Sequence, residues 1–299
     1  MTIATAESPR SPILDKIVDF LRSPLAVLGL LLALALGLSA LFAPWIAPQD
    51  PYDLMAIDVM DARMPPGTKA FGSDLTYLLG TDGQGRDLLS AILYGLRTSI
   101  TVGLGSAILA GIIGTVLGLI AAYAGGRTDS IIMRLVDLIM ALPSILVALM
   151  VLSVFGPGVL NVVLTLVLME WAYYARTARS QALVESQRDY VEAARGLGIS
   201  SVRVLLRHIL PNCLPPLLVI GTLQIARAIT LEATLSFLGL GVPITQPSLG
   251  LLVSNGYQYM LSGNYWITFF PGLALLLAIV SINLIADRMR EVLDPRALR

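Results

Sequence analysis

Six stretches of the chain are apolar for long enough to cross a bilayer, and polar, turn-rich segments separate them. Residues 25–43 form an almost unbroken run of Leu, Ala, Val and Gly, close to the roughly 20 residues a spanning helix requires. Small residues around Ala43 and Ala47 would suit a signal peptidase. The run is nevertheless longer than the ~7–15 apolar residues of a signal core, so it reads as a retained first span. Further spans are predicted over 98–123, 131–155, 159–174, 214–238 and 266–286. The pattern predicts an all-α membrane protein with six transmembrane helices.

Several spans carry features beyond apolarity. Ala110, Gly114, Gly118 and Ala122 recur every four residues, a stripe that lets helix backbones approach closely in a bilayer. It fits either a tightly packed central helix or the general tolerance of membrane helices for glycine. The third span holds Arg134 and Asp137, three apart and able to pair on one face, and a kink is expected at Pro143. The fourth has Asn161 near one end and Glu170 near the other. The fifth is the most polar: Gln224, Arg227 and Thr234 fall near one face, Glu232 and Ser236 on another. Arg227 and Glu232 lie about 140° apart around a helix, poorly placed to pair with each other. An ionisable group inside a membrane is by default a functional-site candidate. Gln224, Arg227 and Glu232 are therefore candidate pathway residues, with a structural ion pair to another helix or subunit as the competing explanation.

The polar segments differ in character. Residues 1–24 carry Arg10, Lys16 and Arg22, and 287–299 carry Arg288, Arg290, Arg296 and Arg299. Residues 44–97 are long and acidic, with seven Asp against four basic residues and prolines at 44, 48, 51, 65 and 66 that oppose a long helix before about Asp87. Residues 239–265 contain no charge and are rich in Gly, Pro, Ser and Asn.

The longest polar interruption on the basic side is 175–213, and within it 189–211 has a distinct plan. A helix is expected through Arg195, built on Tyr190, Val191, Ala193 and Ala194. Gly196 and Gly198 break it, and Ser200 or Ser201 can cap a second helix. There Val202, Leu205, Leu206 and Ile209 fall at helical spacing with Arg203 and Arg207 on another face, and Pro211 is expected to close it.

Composition supports the membrane assignment. Of 299 residues 56% are hydrophobic and 13% charged, against ~25% charged in soluble domains. One cysteine, Cys213, excludes an intrachain disulfide, and one histidine, His208, excludes a histidine-rich metal site. No segment has the lysine followed by Ser or Thr that a phosphate loop needs, so no ATP site is expected in this chain. Basic residues concentrate in 1–24, 124–130, 175–213 and 287–299. Lys and Arg mark cytoplasmic loops, which places both termini and 189–211 in the cytoplasm and 44–97 outside.

Glu192-Ala193-Ala194, then Gly198, then His208-Ile209-Leu210-Pro211 resembles the EAA loop of ABC-transporter permeases, with His208 where many relatives have isoleucine. Other motifs agree in order: Gly80-Thr81-Asp82 through Gly85-Arg86-Asp87, Asp137 with Ala141-Leu142-Pro143, Glu232-Ala233 with 235–241, Pro243, Pro247-Ser248 with Gly250, Pro271-Gly272 and Asp294-Pro295. Ala91 and Leu249 depart from the pattern, standing where arginine and tryptophan are usual. The resemblance covers nearly the whole chain and is nearest the C-type permeases of dipeptide, oligopeptide and nickel importers.

That resemblance implies a type I ABC importer permease fold, in a bacterial inner membrane, with 98–286 as the transmembrane domain. It implies as partners a second, B-type permease, two ABC ATPases that hold ATP and Mg, an extracytoplasmic solute-binding protein and the lipid bilayer. No nucleic acid and no cofactor of the chain's own are expected. It assigns Glu192, Ala193, Ala194, Gly198, Arg203, His208 and Pro211 to the ATPase contact. The implied cargo is di- or oligopeptides; nickel chelates, glutathione and opine-like solutes are the alternatives within the family. An ion-coupled secondary transporter using Asp137, Glu170 and Glu232 is the rival from another class, and it lacks the repeated halves common in such folds.

Overall fold

In a computed structural model of the protein the described residues are 12–53, 55, 57–71 and 74–293. Arg10, Asp294-Pro295, Arg296 and Arg299 therefore lie outside them. A short helix α1 (Pro12–Leu21) leads into α2 (Pro24–Leu41) and the single turn α3 (Ala43–Ile46). A two-stranded hairpin of β1 (Thr68–Lys69) and β2 (Thr76–Tyr77) follows, with Thr68 opposite Tyr77. The bundle proper is α4 (Leu88–Ala124), α5 (Gly126–Ala141), α6 (Ser144–Phe155) and α7 (Val159–Ser186). After it come α8 (Asp189–Gly196), α9 (Ser201–Val204), α10 (Leu210–Phe237), α11 (Leu249–Tyr257) and α12 (Trp266–Leu293).

Among the described residues five helices are long and apolar enough to span a membrane, and the pair α5 and α6 makes a sixth if read as one bent span. The bend is 91°, far more than the kink that Pro143 alone suggests. It falls where Leu142 is extended, as a residue before proline prefers. Three other helices outrun their apolar windows. α4 begins ten residues before 98, α7 runs on to Ser186, and α12 continues to Leu293.

The core is the contact of α4 with α7, and the small-residue stripe makes it. A Cβ on Gly114 would lie 2.2 Å from the Trp171 carbonyl oxygen, and one on Gly118 2.4 Å from that of Ala175. Ala110 is fully buried beside them. The stripe is thus a packing seam, and any larger residue must push two backbones apart. Two ion pairs brace the same region from outside: Arg176 bonds Asp137 and Arg179 bonds Asp129. Asp137 therefore pairs across helices, where the sequence suggested Arg134 on its own helix. α7 lies alongside α5 and offers its guanidinium groups across the gap.

The acidic segment between α3 and α4 is ordered by its own carboxylates. Asp61 accepts from the Phe71 N–H and the Tyr77 hydroxyl. Asp82 and Arg86 form a buried pair at 2.7 Å. Asp87 caps α4 by accepting from the Ser90 N–H and hydroxyl, while its own N–H donates to Gln49. Burial holds the Asp87 carboxyl above the usual carboxylate range. Trp266 at the start of α12 donates to the Thr81 carbonyl, tying this segment to the last span.

Candidate functional site

Two sets of polar side chains interrupt the apolar bundle, and the structure treats them oppositely. Glu232 is fully buried on α10. Its carboxylate accepts from Ser99 of α4 and Ser236 of its own helix, each at 2.7 Å. Ser248, which caps α11, also reaches it. Two glycines let this knot close: a Cβ on Gly241 would meet the Ser236 hydroxyl at 2.1 Å, and one on Gly250 the Ala233 carbonyl at 2.1 Å. Buried charge is tolerated when it is hydrogen-bonded, and Glu232 is bonded within the chain. The geometry gives Glu232 a structural position joining α4, α10 and α11, away from any open surface.

Gln224 also faces inward. It is 5% exposed and its amide nitrogen has no partner among the described residues. Glu170 on α7 shares that interior, with both carboxyl oxygens unpartnered, and the Arg227 charge acts on it. In the sequence Glu170 enters only as one of the three carboxylates of the rival ion-coupled reading, near one end of the fourth span. Arg227 is the one pathway candidate of the three that reaches a surface of this chain. Its guanidinium lies 4.5 Å over the Tyr173 ring and donates to the Ser144 hydroxyl at 3.2 Å. At a half-exposed site such as this a cation–π contact is worth about 0.5–1 kcal/mol. Arg227 and Glu232 do not pair.

The 189–211 element is helix, bend, helix, with differences of detail. Gly198 sits at φ +75°, the left-handed conformation that favours glycine. Ser200 precedes α9 but its hydroxyl makes no cap bond. Pro211 does not end the second helix. The chain passes through a π-turn at Leu205–Ile209, in which the Leu210 N–H bonds the Leu205 carbonyl, and continues as α10. Pro211 would otherwise press its ring on the carbonyl four residues back, and the wider turn relieves this. The same turn resets the helix face. Val204 and Ile209, five apart, are buried, whereas Val202 is 65% and Leu206 54% exposed.

Its two sides are therefore distinct. Val191, Ala194, Val204 and Ile209 anchor it to the bundle core, so Ala194 faces this chain's own interior rather than the outer surface. Glu192, Ala193, Arg203 and Pro211 are exposed, beside Leu197 at 81%. His208 is half-buried, its ring 6.4 Å from that of Tyr190. Tyr190 donates to Glu185 at 2.6 Å and accepts from Asn212. Burial and then the Glu185 contact push its phenol up to about 12, so it stays a neutral donor.

The family model for the inner-membrane component of binding-protein-dependent transport systems matches residues 114–299, and that for the N-terminal transmembrane domain of oligopeptide transport permease C matches 11–66. The chain belongs to this permease family. Among curated relatives, the dipeptide transport system permease protein DppC of Escherichia coli K12 is 41% identical, over 98% of this chain and 96% of its own. The di/tripeptide permease DppC of Pseudomonas aeruginosa is 38% identical over 96% and 93%, and the probable D,D-dipeptide permease DdpC of Escherichia coli K12 39% over 92% and 89%. Among solved structures, an inward-facing form of the MetNI methionine ABC transporter aligns with TM-score 0.56 over 68% of this chain and 96% of that one, at 19% identity. The shared fold is that of a type I ABC importer permease. The chain is a multi-pass inner-membrane permease of such a system.

Proposed function

We propose that the chain is the C-type permease of an ATP-driven importer of di- and oligopeptides, forming half of the path with a B-type permease. A solute-binding protein delivers cargo on the side of the 47–87 segment. Two ATPases, carrying ATP and Mg, dock on the side that bears 189–211 and both chain ends. The observation that carries the reading is the two-sidedness of 189–209. Val191, Ala194, Val204 and Ile209 fix it to the bundle. On the other side Glu192 and Arg203 are exposed charges with no partner among the described residues, and Leu197 and Val202 are exposed. Charge-assisted bonds to Glu192 and apolar contact at Leu197 and Val202 would let ATPase closure move the element as a lever, with Gly198 allowing its bend. The cargo rests on the names of the relatives.

The test is uptake of a labelled dipeptide by proteoliposomes holding the complete transporter with its binding protein. Uptake that needs ATP and vanishes without this chain is expected. Uptake that continues without ATP would overturn the reading in favour of a secondary transporter.

A further inference from the structure

A polar stripe runs along one half-exposed face of the bundle. On α7, Tyr173, Thr177, Gln181 and Glu185 follow one another at intervals of four residues, and all are half-exposed. They share one face. Their helical neighbours Tyr174, Ala178 and Ala182 are buried. On α10, Pro216, Ile220, Leu223 and Arg227 make the matching half-exposed row. The rows meet at the Arg227–Tyr173 contact, one turn beyond Leu223 and Thr177.

From there the two rows diverge into a cavity of 680 Å³. Thr177, Gln181, Ile220 and Leu223 line its walls, and Lys16, Glu185, Asn212 and Arg290 stand around it. Lys16 and Arg290 have no hydrogen-bond or ion-pair partner among the described residues. Tyr173 to Glu185 spans about 18 Å at 1.5 Å per residue, and along that length the row presents hydroxyl, amide and carboxyl groups toward the cavity. The opposite side of α10 shows what a lipid- or helix-facing surface of this bundle looks like. There Leu214, Leu217, Leu218, Gly221 and Ile225 line a groove against α4 that is almost wholly apolar.

We infer that the Tyr173–Glu185 row, with its Ile220–Arg227 counterpart, is this chain's wall of the inner half of the solute path, ending in the Lys16–Glu185–Arg290 cavity. Arg227 stands at its narrow end. The cavity offers both signs of charge, which suits a solute whose two ends are oppositely charged and which must leave without being held. The inference rests on the importer reading for the existence of a path, and adds which face of which helices forms it.

Gln181→Cys, Ile220→Cys and Leu218→Cys, each in the complete transporter, test it with a membrane-impermeant thiol reagent. Ile220 and Leu218 lie at nearly the same depth on opposite faces of α10, and native Cys213 is fully buried, so the parent complex gives the background. Reagent on the side of the chain ends should modify Gln181→Cys and Ile220→Cys at least tenfold faster than Leu218→Cys. Vanadate trapping of the ATPases, which holds the path shut on that side, should slow both. An Ile220→Cys rate no faster than Leu218→Cys would show a lipid- or subunit-covered face and overturn the inference. Dipeptide uptake by the parent complex is scored separately. Failure there strikes the importer reading, while the labelling pattern decides the stripe alone.

Discussion

Glu232 and Arg227 sit five residues apart on one helix, and their surroundings could hardly differ more. Around Glu232 every carboxylate oxygen is bonded within the chain and glycines hold the neighbouring backbones against it. Around Arg227 the guanidinium touches an aromatic face and a single hydroxyl, at the edge of an open surface. Ionisable groups inside a membrane thus divide by whether the chain itself satisfies them. The closed network at Glu232 marks architecture, and the open one at Arg227 is what the proposed solute path would require.

The contrast breaks most sharply by removing Glu232. Glu232→Ala leaves the Ser99 and Ser236 hydroxyls buried without their acceptor, and should lower stability by about 3 kcal/mol. The loss is read as reduced yield of assembled complex and a lower melting temperature. If Glu232→Ala assembled normally and only transport fell, Glu232 would belong with Arg227. Glu232→Gln keeps the shape and part of the bonding and should fall between the parent and Glu232→Ala. Gly118→Val tests the same closed architecture at the α4–α7 seam, where overpacking should cost about 1–3 kcal/mol in the same thermal measurement.

On the open side the signs reverse. Arg227→Gln loses the cation–π contact, about 0.5–1 kcal/mol where solvent reaches it, so the melting temperature should barely move. Uptake should nonetheless drop several-fold, with Arg227→Lys intermediate. Equal loss of stability and uptake in Arg227→Gln would place the residue in the scaffold.

The spans were legible because the bilayer imposes a length and an apolarity that few other structures share. What hydropathy could not see was where helices end. Residues 88–97 of α4 are mostly apolar but follow a turn-rich acidic segment, and 175–186 of α7 are polar; both are helical, because backbone hydrogen bonding does not depend on the side chains being apolar. The apolar face of the second helix in 189–211 was misjudged because a 3.6-residue period was assumed, and the π-turn ahead of Pro211 shifts the buried positions to Val204 and Ile209. Gln224 and Arg227 fall near one face on a helical wheel, yet one is buried in the bundle and the other looks outward. A wheel fixes relative angle, and only the packing of α4 and α7 fixes which sector is inside. The bend at Gly198 and the order of the family motifs were readable, since a left-handed turn needs a particular residue type. The partner of Asp137 was not, because it comes from another helix.

We propose that energy enters through the outward side of 189–204. It is tested most directly by measuring ATP hydrolysis and dipeptide uptake together on the reconstituted transporter carrying Glu192→Arg. Reversing that charge should cut uptake roughly tenfold, equivalent to ~1.4 kcal/mol, with hydrolysis and complex assembly retained. Uptake unchanged alongside unchanged hydrolysis would contradict the claim.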